Sequence, residues 1–585
     1  MPETTTPITS NHAVNIHASF LDEMTSKCEQ MMQQYWDDNP DLHKIVQQKK
    51  QHVAAVILPE ANLTQEIQNV DVLTPEVNTK PILGTVLRGA ALRARITESH
   101  RVIRQRVLEA NADIIPRTQA HNRKCAAQTL EEARDVRADV LAEQIRAWRS
   151  MLPKLIRQFS KIPDYRCAGK IKHKMSVLML FGLLAFVFRL NSRREMNREL
   201  TGPVIFEHLK KLFPEIDTIP HADSLARVLE NMNPQEIEAM HINLIRDLIK
   251  KKKFKKLLIQ GCIPISVDGT QKLYRQGLRQ DERWCERSVG TEKIKEKQQY
   301  VYVLEANITL GNGLTIPLMT EYLFRANNEL LQDHGKQDCE TTAFERLSER
   351  LKTYFPRLKI LLLMDAMFAT QPTMGILHQN RWEYLIRLPK KKLTDFAKQL
   401  NANKPFSLSL PNQRHYRKRN QSFYWENDIT TGYEWDLTIH LIACFEAYED
   451  VNQKTGEIEK SFSEHTWISS IAASIVNVHE LLNCGARKLA LIEHSFNIEK
   501  NHGYNYKHAF SYHWNGMQSF HYLMRLGHAI NAISEFTKSL KRYIKNLGCS
   551  ATLKLIKDTL FAPWLPSIWY EAQILKTPQL RLQLE

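Results

Sequence analysis

The stretch Ile259–Thr270, IQGCIPISVDGT, decides how the rest of the chain is read. Its apolar segment Ile263–Val267 is rich in β-branched residues and runs into Asp268-Gly269, a turn pair. That pattern reads as a buried strand ending at Asp268, which presents the carboxylate at the strand's lip. The device recurs downstream, where Leu358–Met364 (LKILLLM) is a second nearly continuous apolar run, broken by Asp365. A third acid, Glu493, lies in RKLALIEHSFNIEKNHGY, where Leu489, Ile492 and Phe496 repeat at helical spacing, so this carboxylate rides on a helix. Two strand-borne aspartates and one helix-borne glutamate form an oxygen-only ligand set suited to Mg²⁺ or Mn²⁺. The alternative for either aspartate is an ordinary turn residue or helix cap, and spacing alone does not choose between them.

The surrounding segments add a specific signal. VDGT at Asp268, QDCETTAFERL, LLMDAMFAT at Asp365, WISS at Trp467–Ser470 and IEHSFNIEKNHGYNYKH around Glu493 occur in that order. Together they resemble the DDE transposases of bacterial insertion sequences, in the group with a β-rich insertion before the catalytic glutamate. The resemblance covers Lys170 to Phe536 and is most specific in the last segment. It implies an α/β fold: an RNase H-like mixed-sheet catalytic core with a β-strand insertion, preceded by helical N-terminal domains. It also implies that Asp268, Asp365 and Glu493 are both the catalytic triad and the ligands of two Mg²⁺ or Mn²⁺ ions. The implied partner is double-stranded DNA, as terminal inverted repeats and as target, bound by a homodimer in the bacterial cytoplasm and at the nucleoid.

Along the glutamate helix, Asn497 lies one turn and Lys500 two turns beyond Glu493, so the three can share a face. Lys500 near a metal-bound phosphate would act as a point charge on a non-bridging oxygen. Members of the resembling family often carry a tyrosine and an arginine just upstream of the glutamate. This chain has Leu489 and Ala486 there, with Arg487 or Lys488 as substitutes from another angle. Glu499 falls about 240° around the helix from Glu493 and is expected to be dispensable. Of the later histidines, His502, His508, His513, His521 and His528, none stands with a cysteine or in a tight HxxxH pair, which disfavours zinc. His508 is expected to face DNA or to serve the fold.

Length and charge agree with these readings. A chain of 585 residues is long enough for several domains, and a formal charge of +16 with a pI of about 9.2 favours a polyanionic partner such as nucleic acid. The nine cysteines are scattered without a CxxC pair, which suggests a reducing compartment. The N-terminus MPETTTPITS shows no secretory pattern. The longest apolar run, Met175–Phe188, is too short to span a bilayer, which takes about 20 residues, so it is expected to be a buried core helix.

In chain order, residues 1–82 read as a polar, partly helical region. Residues 83–165 are helical and Arg-rich, interrupted at Pro116, and are the candidate for binding DNA ends; the alternative is a solvated helical pair with internally neutralised charge. Residues 166–256 form a further helical unit, with Asp223 and Ser224 as caps, a restart at Asn233-Pro234 and a lysine run at Lys250–Lys256. Residues 257–400 hold the first part of the core: the Ile263–Val267 strand, a hairpin turned at Gly311-Asn312-Gly313, a helix over Glu340–Tyr354 capped by Asp338, the Asp365 strand, a helix opened by Pro372, and a strand at Trp382–Leu388. Residues 401–464 change to a β-rich insertion, 465–545 complete the core, and 546–585 form a tail. In the insertion Tyr424, Trp425 and Trp435 could hold a base drawn from the stack; the competing role is cross-strand packing. Sequence alone leaves three functions open: a transposase, a metal-dependent nuclease without joining, and a transposase-derived DNA-binding protein.

Overall fold

A computed structural model describes residues 88–110, 127–276, 283–291, 294–325, 338–388, 412–416, 419–430, 438–563, 567–576, 578 and 580–582, all within the unit Leu87–Glu585. The helical part comes first. Helix α1 (Gly89–Ala110) is largely exposed, whereas α2 (Leu130–Phe159) starts with a Thr129/Glu132 capping box and buries Val140, Ile145, Trp148, Leu152 and Phe159 along one face. Every residue of α3 (Met175–Val187) is buried, as its apolar composition requires. Ser192 caps α4 (Arg193–Leu200), a proline opens α5 (Pro203–Leu212), and α6 (Ala222–Asn231) and α7 (Gln235–Lys250) follow. The cap of α6 is His221, whose Nδ1 accepts from Asp223 N at 3.2 Å, and not Asp223 or Ser224. Asp223 falls instead in the first turn, where its charge complements the helix dipole. Asn233 Oδ1 accepts from Gln235 N at 3.1 Å as α7 begins.

The sheet starts with β1 (Ile263–Gln276), β2 (Cys285–Thr291), β3 (Ile294–Thr309) and β4 (Thr315–Tyr322). Here the structure corrects the reading of Asp268. The strand does not end at Asp268-Gly269 but continues to Gln276, because β3 offers an uninterrupted ladder: Asp268 faces Glu305, Gly269 faces Leu304 and Thr270 faces Val303. Paired backbone on a long partner strand outweighs a local turn preference. The expected hairpin joins β3 to β4, with Gly313 in the left-handed region at φ 94°.

Helix α8 (Glu340–Tyr354) leads into β5 (Ile360–Met364), α9 (Gln371–Asn380) and β6 (Glu383–Leu388). Cys339, not Asp338, stands at the N-cap of α8, and Asp338 accepts from Phe324 N at 3.1 Å and from Arg346 Nη2 at 2.7 Å. Strands β7 (Asn412–Tyr416), β8 (Arg419–Thr430), β9 (Thr438–Val451) and β10 (Ile458–Ser469) continue the same sheet by antiparallel pairing, β10 lying against β6. The strand order is β2-β3-β1-β5-β6-β10-β9-β8-β7, with β4 also on β3. Strands β5 and β6 run parallel to β1 and β3 runs antiparallel to it.

After β10 the chain passes through a π turn at Glu480–Gly485 and a 3₁₀ turn at Ala486–Leu489 into α10 (Ala490–Asn501). Helices α11 (Trp514–Glu535), α12 (Lys538–Leu547), α13 (Cys549–Leu560) and α14 (Ser567–Leu575) follow. Helix α11 is buried on nearly all sides, packed against α3, α6 and β4. Docking of the helical part is also polar: Glu238 of α7 accepts from Thr320 N on β4 at 2.9 Å and pairs with Arg350 of α8. No helix among the described residues is long and apolar enough to cross a membrane.

Candidate active site

Side chains alternate along β1, so Ile265 and Val267 enter the apolar core while Ser266, Asp268 and Thr270 share the opposite face. Asp268 sits there half-buried, its Oδ1 accepting from Gly269 N at 2.9 Å. Burial pushes its carboxyl up to about 7, against the pull of that hydrogen bond, and the carboxylates of Glu340, Glu493 and Asp365 push the same way. Acids far apart in the chain therefore act on one group. Asp365 is exposed immediately after β5, the strand paired in parallel with β1. Glu493 is exposed in the first turn of α10.

Glu340 stands in the segment QDCETTAFERL, at the start of α8, and no spacing along the chain ties it to the other acids. Gly269 is the strand neighbour of Asp268, so its Cβ direction is the other face of the sheet, where a Cβ would meet Glu340 Oε1 at 2.3 Å. Glu340 accepts from Tyr302 Oη at 2.7 Å, and its Oε2 is buried without a partner. Burial raises its carboxyl too, and the Asp365 charge adds to that rise. Only a glycine behind Asp268 admits this backing charge. A tertiary approach of this kind leaves no spacing signal.

The acids have the hard oxygen donors that a Mg²⁺ or Mn²⁺ ion takes, and their mutual repulsion around Asp268 is what a divalent cation would relieve. As the side chains stand, no group of three His, Cys, Asp or Glu residues among the described residues closes around a single point. The donor set fits the ion by chemistry and by field.

Lys500 reaches this face as its helical spacing implies. Its Nζ donates to Thr270 Oγ1 at 2.5 Å and lies over the rings of Phe496 and Tyr506. Burial lowers its pKa, Lys507 lowers it further, and Glu499, Asp268 and Glu305 partly restore it. Asn497 is exposed on the same helix and accepts from Asn501 Nδ2 at 2.7 Å.

Glu499 overturns its sequence reading. The far side of α10 faces α11 and not solvent, and Glu499 is fully buried, pairing with Arg525 Nη1 at 3.2 Å and His528 Nδ1 at 2.7 Å. Arg525 also holds Glu305 Oε2 at 2.9 Å, and Glu305 accepts from Tyr506 Oη at 3.1 Å and contacts His521 Nε2 at 3.1 Å. Burial opposes ionisation of Glu305, yet Arg525 and His521 hold its carboxyl down to about 2. This charged core fastens α10 to β3, the strand whose Glu305 faces Asp268.

The remaining expected residues have varied surroundings. Arg487 pairs with Glu446 Oε1 on β9 at 2.7 Å and lies over Trp467, which joins the start of the glutamate helix to the added strands. Lys488 is half-buried beside it. His508 is exposed, packs on Phe510 at 4.7 Å and accepts from Phe510 N through Nδ1. Trp425 is buried in a small core with Phe423, Ile442 and Trp467, so it packs within the sheet as the competing reading held. Trp435 and the Tyr424 side chain lie outside the described residues. On α1, Arg95 and Arg106 pair with Glu457 and Glu449 of the β9–β10 hairpin at 3.2 and 3.0 Å, so part of that Arg-rich surface is neutralised within the chain.

Residues 156–245, from the end of α2 to α7, match the family described as DDE_Tnp_1-associated. This chain carries a transposase-associated region. Over 110 residues it is 33% identical to "Putative protein YbfL" of Escherichia coli (strain K12), a match covering 19% of the chain and 29% of that protein. Over 96 residues it is 31% identical to the "H repeat-associated putative transposase YhhI" of the same organism, covering 16% of the chain and 25% of that protein. The chain thus spans between a quarter and a third of the length of these relatives. The region that matches the family is the helical part of the chain, ahead of the acids.

Proposed function

We propose that the chain is a DDE-type transposase, which binds the ends of a mobile element as double-stranded DNA, cuts them with two divalent ions and joins them to target DNA. One observation carries the reading: the strand pairing of β1 with β5 sets Asp365 beside Asp268, and the charges of both Asp365 and Glu493 of α10 push the Asp268 carboxyl up. The order β4-β3-β1-β5-β6, with β3 reversed, is the one an RNase H-like core would have and supports the reading, as do the matches to a transposase-associated family and to a putative transposase.

Asp268, Asp365 and Glu493 would hold the ions, and the chemistry so supplied is activation of the attacking oxygen and relief of charge on the departing 3′-oxygen. Lys500, on the same face, offers its ammonium to a non-bridging phosphate oxygen and exchanges Thr270 Oγ1 for it. Glu340, behind the strand, keeps the field at Asp268 negative and so favours cation uptake. Water attack cuts the strand, and the freed 3′-hydroxyl is the next nucleophile at the same carboxylates. No covalent link to the protein is needed. A homodimer would bring two element ends together.

The test is gel analysis of labelled DNA carrying the element's ends, with wild type and the Asp268→Asn, Asp365→Asn and Glu493→Gln variants. Each variant is expected to bind DNA, keep its melting curve and lose cleavage by several orders of magnitude; chelator should stop the wild type, and Mg²⁺ or Mn²⁺ should restore it. Cleavage without joined products would make the protein a nuclease. Near wild-type cutting by all three variants would remove these acids from the reaction, and binding without any cleavage by the wild type would leave a DNA-binding protein.

A further inference from the structure

Helix α1 lies against the tip of the β9–β10 hairpin. Arg95 pairs with Glu457 at 3.2 Å and Arg106 with Glu449 at 3.0 Å, and between them Ser99 Oγ donates to Gly456 O at 2.6 Å. The tip is shaped for this contact. Gly456 takes a left-handed φ of 73°, and a Cβ there would meet Arg95 Cγ at 2.9 Å, so glycine is what lets the arginine lie across the turn. A hairpin tip is ordinarily exposed, yet Gly456 is buried.

The contact is charged but weak. Along α1 Ile103 alone is buried among the described residues, and the paired side chains are between 30% and 57% exposed, a setting in which ion pairs contribute little. Charge complementarity decides what else this helix would take. It carries five arginines against Glu98 and Glu109, and Glu98 is itself held by Arg101 at 2.6 Å. At about 1.5 Å per residue Arg95 and Arg106 stand about 16 Å apart along the axis. Over that length the hairpin offers two glutamates, whereas duplex DNA, with one charge per about 1.7 Å, offers about ten phosphates.

We propose that the acidic β9–β10 tip is an internal stand-in for DNA, covering Arg95 and Arg106 until duplex DNA displaces it and takes over both arginines. The hairpin and the duplex then exclude one another on α1, and binding of DNA includes release of the two ion pairs. The inference rests on the reading of DNA as the partner, but not on the catalytic roles of Asp268, Asp365 and Glu493.

The test is a double-mutant cycle on the full chain, read as the affinity for a labelled duplex by fluorescence anisotropy at fixed salt. Glu449→Gln with Glu457→Gln should tighten binding about tenfold or more, because the arginines no longer have to leave a partner. The control is Asp450→Asn with Glu459→Gln, which removes the same charge from the same hairpin at acids whose partners are Val451 N and Asn452 Nδ2. It should shift affinity by less than about twofold. In an Arg95→Gln, Arg106→Gln background binding should be weaker than wild type, and the two glutamate changes should no longer tighten it. No tightening, weaker binding, an equal gain in the control, or an equal gain without the two arginines would each overturn the inference while leaving DNA as the partner. Absence of duplex binding by wild type and every variant would overturn both.

Discussion

Lys500 Nζ meets Thr270 Oγ1 at 2.5 Å, and this contact ties the helix that carries Glu493 to the strand that carries Asp268. The cation stands two residues along the strand from the aspartate and is held by a neutral hydroxyl, so a phosphate can take it over with little loss.

Lys500→Met should therefore lower strand cleavage by about a hundredfold or more, the usual size for loss of one charged contact to a reacting oxyanion. Binding of end-bearing DNA should weaken only slightly, since one phosphate contact among many is removed. Cleavage within a few-fold of wild type would detach Lys500 from the reaction.

Glu499→Gln is expected to destabilise the fold by about 3–5 kcal/mol, because it leaves Arg525 short of a buried counter-charge and His528 without its carboxylate partner. Urea unfolding measures it. A melting curve like that of wild type would contradict the buried network, and loss of cleavage without loss of stability would move Glu499 into the reaction itself.

Gly269→Ala should be cheap in stability, about 1 kcal/mol, since the atoms in its way are the mobile end of Glu340. It should nevertheless raise the divalent-ion concentration needed for half-maximal cleavage, because Glu340 must leave Tyr302 and its place behind Asp268. Glu340→Gln should produce the same rise. An unchanged metal requirement in both variants would show that the backing charge does not matter.

Acid should destabilise the protein through buried histidines. Burial drives His241 down to about 3 and His521 down to about 4, from an ordinary value of 6.5. Below pH 6.5 the unfolded chain takes up protons that the folded chain refuses. Stability is then fully present above about pH 7 and falls as pH drops towards 4, by up to about 1.4 kcal/mol per pH unit per histidine. His241→Gln should make that slope shallower by one proton in urea titrations at several pH values. An identical slope would mean that His241 is protonated in the fold.

What the sequence determined by itself is the local part of this structure. Apolar runs of strand length and strand composition put Asp268 on one strand and Asp365 just past another, an Asn-Gly pair turned the β3–β4 hairpin, and helical spacing put Lys500 on the face of Glu493. Those signals lie within a few residues of one another, so a pattern reads them. What lies across α10 and behind β1 was decided only by tertiary packing. Glu499 reads as dispensable from its angle to Glu493 alone, because helical geometry gives an angle but not what stands there, and α11 brings Arg525 and His528 to it. Asp268-Gly269 looked like a turn because the ladder that keeps it extended belongs to a strand some 35 residues later, at Glu305 and Leu304. Glu340 reaches Asp268 only because a glycine leaves room through the sheet. Charge and shape of that kind depend on which surfaces the fold brings together, and no spacing along the chain records them.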